Sequence, residues 1–226
     1  MILRGIAAML ALVITAACSG NQQPEAGVQE SGATPDSSYF FVFLNTNPDR
    51  PTISQDSAGV LQSLHMQNIG NLYAEGKLDL AGPFNGGGGV FVLKAPDSTS
   101  AWGYLEVDAA VKAGRFNIEL IPFDVTAGGL CKIPADNEMV MYGFLRFREK
   151  VAGIAADNPD QRAALLADGQ LLFAGNFNGT DAGIMVMRSN TDSLLQAIAA
   201  GHPGVSNGHL AAEIRQLWVG QGIFCE

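Results

Sequence analysis

The sequence predicts an α+β fold built from two tandem copies of one β-α-β-β-α-β unit. The stretch "LYAEGKLDLAGPF" at 72–84 is echoed by "LLADGQLLFAGNF" at 165–177. Within each copy, strand-like apolar runs also alternate with segments of helical periodicity. Internal similarity at a fixed offset is the signature of a repeated structural unit, so the echo predicts the architecture of the whole chain.

The repeat extends well beyond these two stretches. Equivalent residues are Gly76 and Gly169, Gly82 and Gly175, Phe84 and Phe177, Gly89 and Gly183, Val111 and Val205, Gly114 and Gly208, Glu119 and Glu213, and Cys131 and Cys225. The nearly constant offset indicates a tandem duplication. We assign the first unit to residues 39–130 and the second to residues 131–226.

The elements of the first unit follow from local patterns. Tyr39–Leu44 is an aromatic, β-branched run typical of a strand, and Asp56–Glu75 carries apolar residues at helical spacing. Gly76 is placed as the C-cap of that helix. The later elements are a strand at Lys77–Pro83, a glycine-rich hairpin at Asn85–Gly89, a strand at Val90–Ala95, a helix at Ser98–Val107 and a strand at Phe116–Phe123. This order is that of the ferredoxin-like split βαβ unit.

The second unit repeats the order. Its predicted elements are Met139–Phe147, Asp160–Asp168, Gln170–Asn176, Gly183–Arg188, Asp192–Ala200 and Leu210–Val219.

The N-terminus has the pattern of an export signal. Met1–Arg4 is a short basic segment, and Gly5–Thr15 is an apolar run too short to span a bilayer in the usual way. The small residues of "TAAC" then precede Cys18, which resembles a bacterial lipobox. We therefore predict a lipoprotein signal peptide at 1–17 and lipidation of Cys18; the alternative is an ordinary secretory signal, with Cys18 incidental.

Residues 18–38 have the composition of a tether between the lipid and the folded part. The segment is rich in Gly, Pro, Ser and Gln and has no periodic apolar residues, so it buries too little surface to fold. Ser19 directly after the lipidated cysteine resembles outer-membrane sorting in Gram-negative bacteria. The prediction is a domain on the periplasmic face of the outer membrane, attached through its lipid alone.

The charge of the chain restricts its partners. The net charge is −9, and removal of the signal leaves 12 basic residues against 22 acidic ones. The excess of acidic residues would repel a phosphate backbone, so nucleic-acid binding is not expected.

Several short segments of the first unit resemble the YCII-related family. They are "EGKL", "AGPF", "VFVLKA", the pattern D-x-x-V-K-A-G, and "ELIPF". The resemblance covers residues 39–124 and extends more loosely to 139–219. It implies a dimeric α+β barrel, in which two ferredoxin-like units pack their sheets together. In this chain both units would lie in one polypeptide, so we expect a monomer that is an intrachain pseudo-dimer.

The resemblance also implies a candidate catalytic pair. His65, eleven residues before Gly76, matches the position of the family's histidine, and Asp108 matches its aspartate. Ala109 stands where the family usually has proline. A carboxylate that accepts from one imidazole nitrogen leaves the other as a base, which could move a proton on an enol, lactone or phenol-like substrate. The alternatives are a helix histidine without a role and a turn or helix-end carboxylate.

The second unit lacks this pair. Asn158 falls opposite His65, and His202 falls opposite Asp108. His202 and His209 have no Cys or carboxylate at ligand spacing, so neither a metal nor a cofactor is predicted. We expect this unit to be a structural partner.

The pseudo-dimer implied by the resemblance also bears on the cysteines. Cys131 and Cys225 are equivalent positions, which a pseudo-twofold axis can bring together, and export exposes them to an oxidising compartment. We predict a disulfide between the two units, the alternative being two free thiols far apart.

Two functions are therefore expected from the sequence. One is His65/Asp108 acid–base chemistry on a small organic substrate in the first unit. The other is a small-molecule-binding or envelope-structural lipoprotein without catalysis.

Overall fold

The computed structural model describes residues 38–134, 136–151 and 158–225. The predicted signal peptide, Cys18 and nearly all of the predicted tether lie outside these residues. The first unit consists of β1 (Ser38–Thr46), α1 (Gln55–Ala74), β2 (Leu78–Pro83), β3 (Gly89–Ala95), α2 (Ser98–Glu106), α3 (Ala109–Lys112) and β4 (Phe116–Gly128). The second consists of β5 (Met139–Glu149), α4 (Pro159–Ala167), β6 (Leu171–Phe177), β7 (Gly183–Met187), α5 (Asp192–Gly201), α6 (Pro203–Ser206) and β8 (Leu210–Gly220).

The α+β fold class is confirmed, and the described strands form one antiparallel sheet. Their order is β2-β3-β1-β4-β6-β7-β5-β8, so the last strand of unit one lies beside the first hairpin strand of unit two. The two outer strands approach each other through a bridge between Phe84 and Leu217. The sheet thereby curls into a barrel, the intrachain form of the dimeric α+β barrel.

Strands of the two units lie side by side in two places, β2 with β8 and β4 with β6. Each place has a glycine where a side chain would not fit. A Cβ on Gly82 would lie 2.5 Å from the carbonyl oxygen of Trp218 in β8. A Cβ on Gly175 would lie 2.5 Å from the carbonyl oxygen of Asp124 in β4 and would overlap the Phe123 ring. Gly82 and Gly175 therefore stand at two corresponding close approaches of strands, β2 to β8 and β6 to β4.

The barrel interior is filled by aromatic and branched side chains. Phe41 contacts Phe43, Phe123, Phe144 and Phe177 with ring centroids 4.9–6.2 Å apart. The outward face of the sheet is covered by α1–α3 in unit one and by α4–α6 in unit two, each with its own buried cluster. Because the interior is packed, a ligand site has to lie between the sheet and its helices or at the barrel ends.

An ion pair connects β4 of the first unit to β5 of the second. The Arg146 guanidinium donates to both carboxylate oxygens of Glu119, at 3.1 and 2.6 Å, and stacks 3.7 Å above the Phe43 ring. The Arg146 hydrogen bond holds the pKa of the Glu119 carboxyl below its usual value, despite partial burial.

The predicted disulfide is confirmed. Cys131 and Cys225 are bonded, with their Cα atoms 5.4 Å apart. Their neighbours Leu130 and Phe224, also equivalent in the repeat, form a β-bridge. At the disulfide, residues of one unit therefore lie against their own equivalents in the other.

Three features differ from the predicted elements. β1 begins at Ser38, and β4 continues to Gly128, because its second half pairs with β6 of the other unit. Each unit also contains a four-residue helix, α3 or α6, before its last strand. One helical turn is too short to show a periodicity, so neither was predicted. Among the described helices, none is long and apolar enough to cross a membrane.

Candidate functional site

His65 lies on the stripe of α1 that faces the sheet. This helix is exposed over most of its surface, and only His65 and Leu72 among its residues are buried. The His65 ring stacks on Phe91 of β3, with centroids 6.0 Å apart, and contacts Phe116 of β4 at 5.8 Å. The imidazole is thus held between a helix and the outer face of the sheet.

The structure brings His65 and Asp108 into direct contact. Nδ1 of His65 lies 2.8 Å from Oδ2 of Asp108, and Asp108 is almost fully buried, with 1% exposure remaining. The same oxygen accepts a hydrogen bond from the Asn68 side chain at 3.1 Å. Oδ1 accepts from the backbone N–H groups of Ala110 at 2.9 Å and Val111 at 3.2 Å. Asp108 is therefore both the partner of His65 and the N-cap of α3.

These contacts decide the charge of the carboxyl group. Burial raises the pKa of Asp108, but the hydrogen bond and charge of His65, together with the Val111 and Ala110 amides, lower it further than burial raises it. The net pKa of Asp108 is below its ordinary value, so the group is a carboxylate at neutral pH.

An ionised Asp108 only accepts hydrogen bonds, so Nδ1 of His65 must donate. In the neutral ring the proton then sits on Nδ1, and Nε2 keeps its lone pair. Nε2 has no hydrogen-bond partner in the part of the chain that the structure describes, and it is not among the buried atoms without one. This nitrogen is therefore not fully enclosed, although only 11% of the His65 side chain is exposed.

A cavity of about 240 Å³ lies beneath the first turns of α1, and neither His65 nor Asp108 is part of its wall. It shares Phe116 with the His65 contacts and Ala110 with the Asp108 cap. Two arginines, Arg50 and Arg115, also line it. The cavity is therefore connected to the candidate pair through these two shared neighbours.

A second cavity, also of about 240 Å³, lies at the other end of α1. Its wall is mainly apolar, and the segment after Cys131 closes one side. The Tyr73 hydroxyl fixes that segment by donating to the Ile133 carbonyl at 3.0 Å and accepting from the Ile133 N–H at 2.9 Å. The carboxylate of Asp79 in this wall is already paired with Lys94 at 2.7 Å. This cavity offers mainly apolar surface, whereas the first one shares wall residues with the contacts of His65 and Asp108.

Unit two places its candidate residues differently. Asn158 is the N-cap of α4 and accepts from the Gln161 N–H, so it does not occupy a helix face as His65 does. His202 is the N-cap of α6, where Nδ1 accepts from the Gly204 N–H at 3.2 Å, and its ring stacks on Phe147 at 4.6 Å. In the described ranges, no three His, Cys, Asp or Glu residues come together as they would around a metal.

Three residues of the site were not predicted. Asn68 follows His65 by three residues, which is the spacing that puts two side chains on one helix face. Arg50 and Arg115 lie in separate loops, and nothing in their local sequence links them. Only the fold, which packs the loop before α1 against the start of β4, brings these two together.

No protein-family model and no curated protein sequence matches the chain. Two solved structures have similar backbones. A candidate monooxygenase from Lactobacillus acidophilus is 10% identical over 84% of this chain and 100% of its own, with a TM-score of 0.46. A candidate monooxygenase from Fusobacterium nucleatum is 9% identical over 83% of this chain and 96% of its own, with a TM-score of 0.39. Likeness at this level does not bear on the chemistry of the present site.

Proposed function

We propose that the first unit carries out acid–base chemistry on a small organic substrate, with His65 as the base and Asp108 as its orienting carboxylate. The observation that carries this proposal is the 2.8 Å contact between the His65 ring and a buried carboxylate, whose neighbours Phe116 and Ala110 line a cavity. A hydrogen-bonded His–carboxylate pair with one free imidazole nitrogen is a recurring arrangement for proton transfer.

The proton moves at Nε2 of His65. A substrate C–H or O–H made acidic by a neighbouring carbonyl or aromatic ring gives its proton to this lone pair. The imidazolium that forms is stabilised by Asp108, which stays ionised because its other oxygen is held by two amides. Return of the proton to a different atom of the substrate completes an isomerisation, and loss of a leaving group completes an elimination.

Deuterium incorporation tests this proposal whatever the product of the reaction is. A panel of enolisable ketones, lactones and phenols would be incubated with the protein in D₂O and followed by NMR. We expect protein-dependent exchange at one position of at least one compound, and loss of that exchange in His65→Ala. Exchange that persists in His65→Ala would mean that the base is another group.

The chief alternative is that the first unit binds a small molecule without catalysis. It is favoured by the second unit, in which His202 caps α6 as Asp108 caps α3. A polar cap at this position thus occurs even where no His65 equivalent is present. A ligand that binds in the cavity and shows no exchange or turnover would support this alternative.

We also propose membership of the YCII-related family and attachment to the periplasmic face of the outer membrane through lipidated Cys18. The paired βαββαβ units and the His65–Asp108 contact support the family, and the disulfide supports an oxidising compartment. Metabolic labelling with palmitate, together with membrane fractionation, tests the anchor. We expect label and membrane association in the wild type and neither in Cys18→Ser.

A further inference from the structure

The cavity beside His65 carries positive charge in an acidic protein. The chain has a net charge of −9, yet both charged residues of this wall, Arg50 and Arg115, are arginines. No carboxylate of the described residues lies within ion-pair distance of either guanidinium. Neither guanidinium is therefore engaged in an ion pair with a described carboxylate.

Both arginines are held by the backbone through one terminal nitrogen. Nη1 of Arg115 donates to the carbonyl of Pro51 at 2.6 Å, and Nη1 of Arg50 donates to the carbonyl of Asn47 at 3.0 Å. A guanidinium has five N–H donors in a planar fork that fits a carboxylate. Because each guanidinium uses only one nitrogen in its backbone contact, its other N–H groups can donate to a ligand.

The rest of the wall is suited to the body of an organic acid. Ile53, Leu61 and Phe116 provide apolar surface, and Phe116 also contacts the His65 ring. The volume of about 240 Å³ is below the roughly 300–1,000 Å³ of pockets for drug-sized ligands, so the ligand is small.

From these observations we infer that this cavity binds small organic carboxylates, with Arg50 and Arg115 holding the carboxylate group and the apolar wall holding the rest of the molecule against Phe116, which contacts the His65 ring. The inference rests on the proposed function, because it names the substrate class of that same site. It also extends the proposed function, since a carboxylate fixed by two arginines would determine how the rest of the substrate is oriented against Phe116 and toward His65.

Binding of benzoate and benzamide to the protein, measured by calorimetry at low ionic strength, tests the inference. The two molecules have nearly the same shape and differ in charge. We expect benzoate to bind, benzamide to bind at least tenfold more weakly, and added salt to weaken benzoate binding. Equal affinity for the two probes, or no binding of benzoate, would overturn the inference.

Variants locate the binding. Arg50→Gln and Arg115→Gln should each weaken benzoate binding by roughly ten- to a hundredfold, the range expected for lost hydrogen bonds to a charged group. The matched control is Arg148→Gln, an exposed arginine of β5, which should leave binding unchanged. If Arg115→Gln unfolds because it loses its contact with Pro51, the exposed Arg50→Gln still decides the question. Unchanged affinity in Arg50→Gln would contradict the assignment.

The same titration separates this inference from the proposed function. His65→Ala should abolish proton exchange on any substrate and retain benzoate binding, because it leaves both guanidinium groups in place. Benzoate binding without turnover on any substrate would contradict the proposed function and uphold the anion site. Turnover of neutral substrates without benzoate binding would uphold the proposed function and contradict the anion site.

Discussion

Asp108 and His202 occupy equivalent positions in the two units, and each is the N-cap of the four-residue helix before the last strand. Asp108 caps with one carboxylate oxygen and has the second free for His65. His202 caps with Nδ1, and its ring is stacked on Phe147. The cap is thus common to both units, while the acid–base pair exists in the first alone among the described residues.

The double role of Asp108 leads to different outcomes for two substitutions. Asp108→Ala removes the acceptor of four hydrogen bonds and leaves buried donors unpaired, which should cost about 2–4 kcal/mol of stability. Asp108→Asn keeps an oxygen for the cap and should cost distinctly less. Urea unfolding of the two variants beside the wild type measures the difference.

For Asp108→Asn we expect the reverse balance: a small loss of stability and a large loss of activity. In Asp108→Asn the new amide can donate to Nδ1 of His65, which moves the ring proton to Nε2 and removes the base. We therefore expect a folded protein in which proton exchange is reduced by a factor of at least about a hundred. Full exchange activity in Asp108→Asn would show that this carboxylate does not set the tautomer.

The lowered pKa of Asp108 gives a pH dependence of stability with a definite sign. A folded-state pKa below the unfolded value means that the unfolded chain binds more protons, so the carboxylate stabilises the fold above its unfolded pKa of about 3.8. This contribution is lost as the pH falls through the lower, folded pKa. The stability difference between wild type and Asp108→Asn, followed by urea unfolding from about pH 7 down to about pH 2.5, should shrink on acidification. A difference that is constant with pH would contradict the assigned shift.

Much of the fold was predictable because each unit expresses it locally. The helix before Gly76, the strand after it and the hairpin at Asn85–Gly89 are encoded in adjacent residues, and the repeat supplied independent support for each. The extension of β4 to Gly128 was not predictable, since that half of the strand is formed by pairing with β6 of the other unit. The periodicity of a segment indicates which of its side chains are buried. It does not indicate which distant strand the segment pairs with.

The candidate site was predictable to a lesser extent. His65 and Asp108 were found through their resemblance to a family pattern, and helical spacing could have added Asn68. Arg50 and Arg115 could not be found in this way, because their proximity depends on how a loop packs against the start of a strand. The Glu119–Arg146 pair is similar, since its members come from different units and meet only when the sheet curls.

The close approach of β2 to β8 predicts that alanine is not tolerated at Gly82. A glycine elsewhere that has open space around it serves as the control and should show the opposite effect. Gly82→Ala places a Cβ 2.5 Å from both the Trp218 carbonyl oxygen and Val219 Cγ1 and should destabilise the protein by about 1–3 kcal/mol through overpacking. The control is Gly103→Ala in α2, where no atom lies within 4 Å of the added Cβ. There the higher helix propensity of alanine should stabilise by about 0.5–1 kcal/mol. Thermal unfolding compares the two, and equal effects would argue against the contact between β2 and β8.

The disulfide should contribute a large part of the stability of the fold while leaving its topology intact. The bond between Cys131 and Cys225 closes a loop with a sequence separation of 94 residues, which on chain-entropy grounds corresponds to about 4–5 kcal/mol. The backbone bonds beside it, from the Cys131 N–H to Ile223 at 2.7 Å and from the Cys225 N–H to Gly129 at 3.0 Å, do not require the sulfur atoms. The double variant Cys131→Ser/Cys225→Ser should therefore keep the wild-type circular dichroism spectrum and unfold at a much lower urea concentration, whereas Cys18→Ser should unfold like the wild type.

Thiol titration of native, unreduced Cys18→Ser should detect no reactive thiol. Detection of two thiols, or a double variant as stable as the wild type, would show that the units are not held together by this bond.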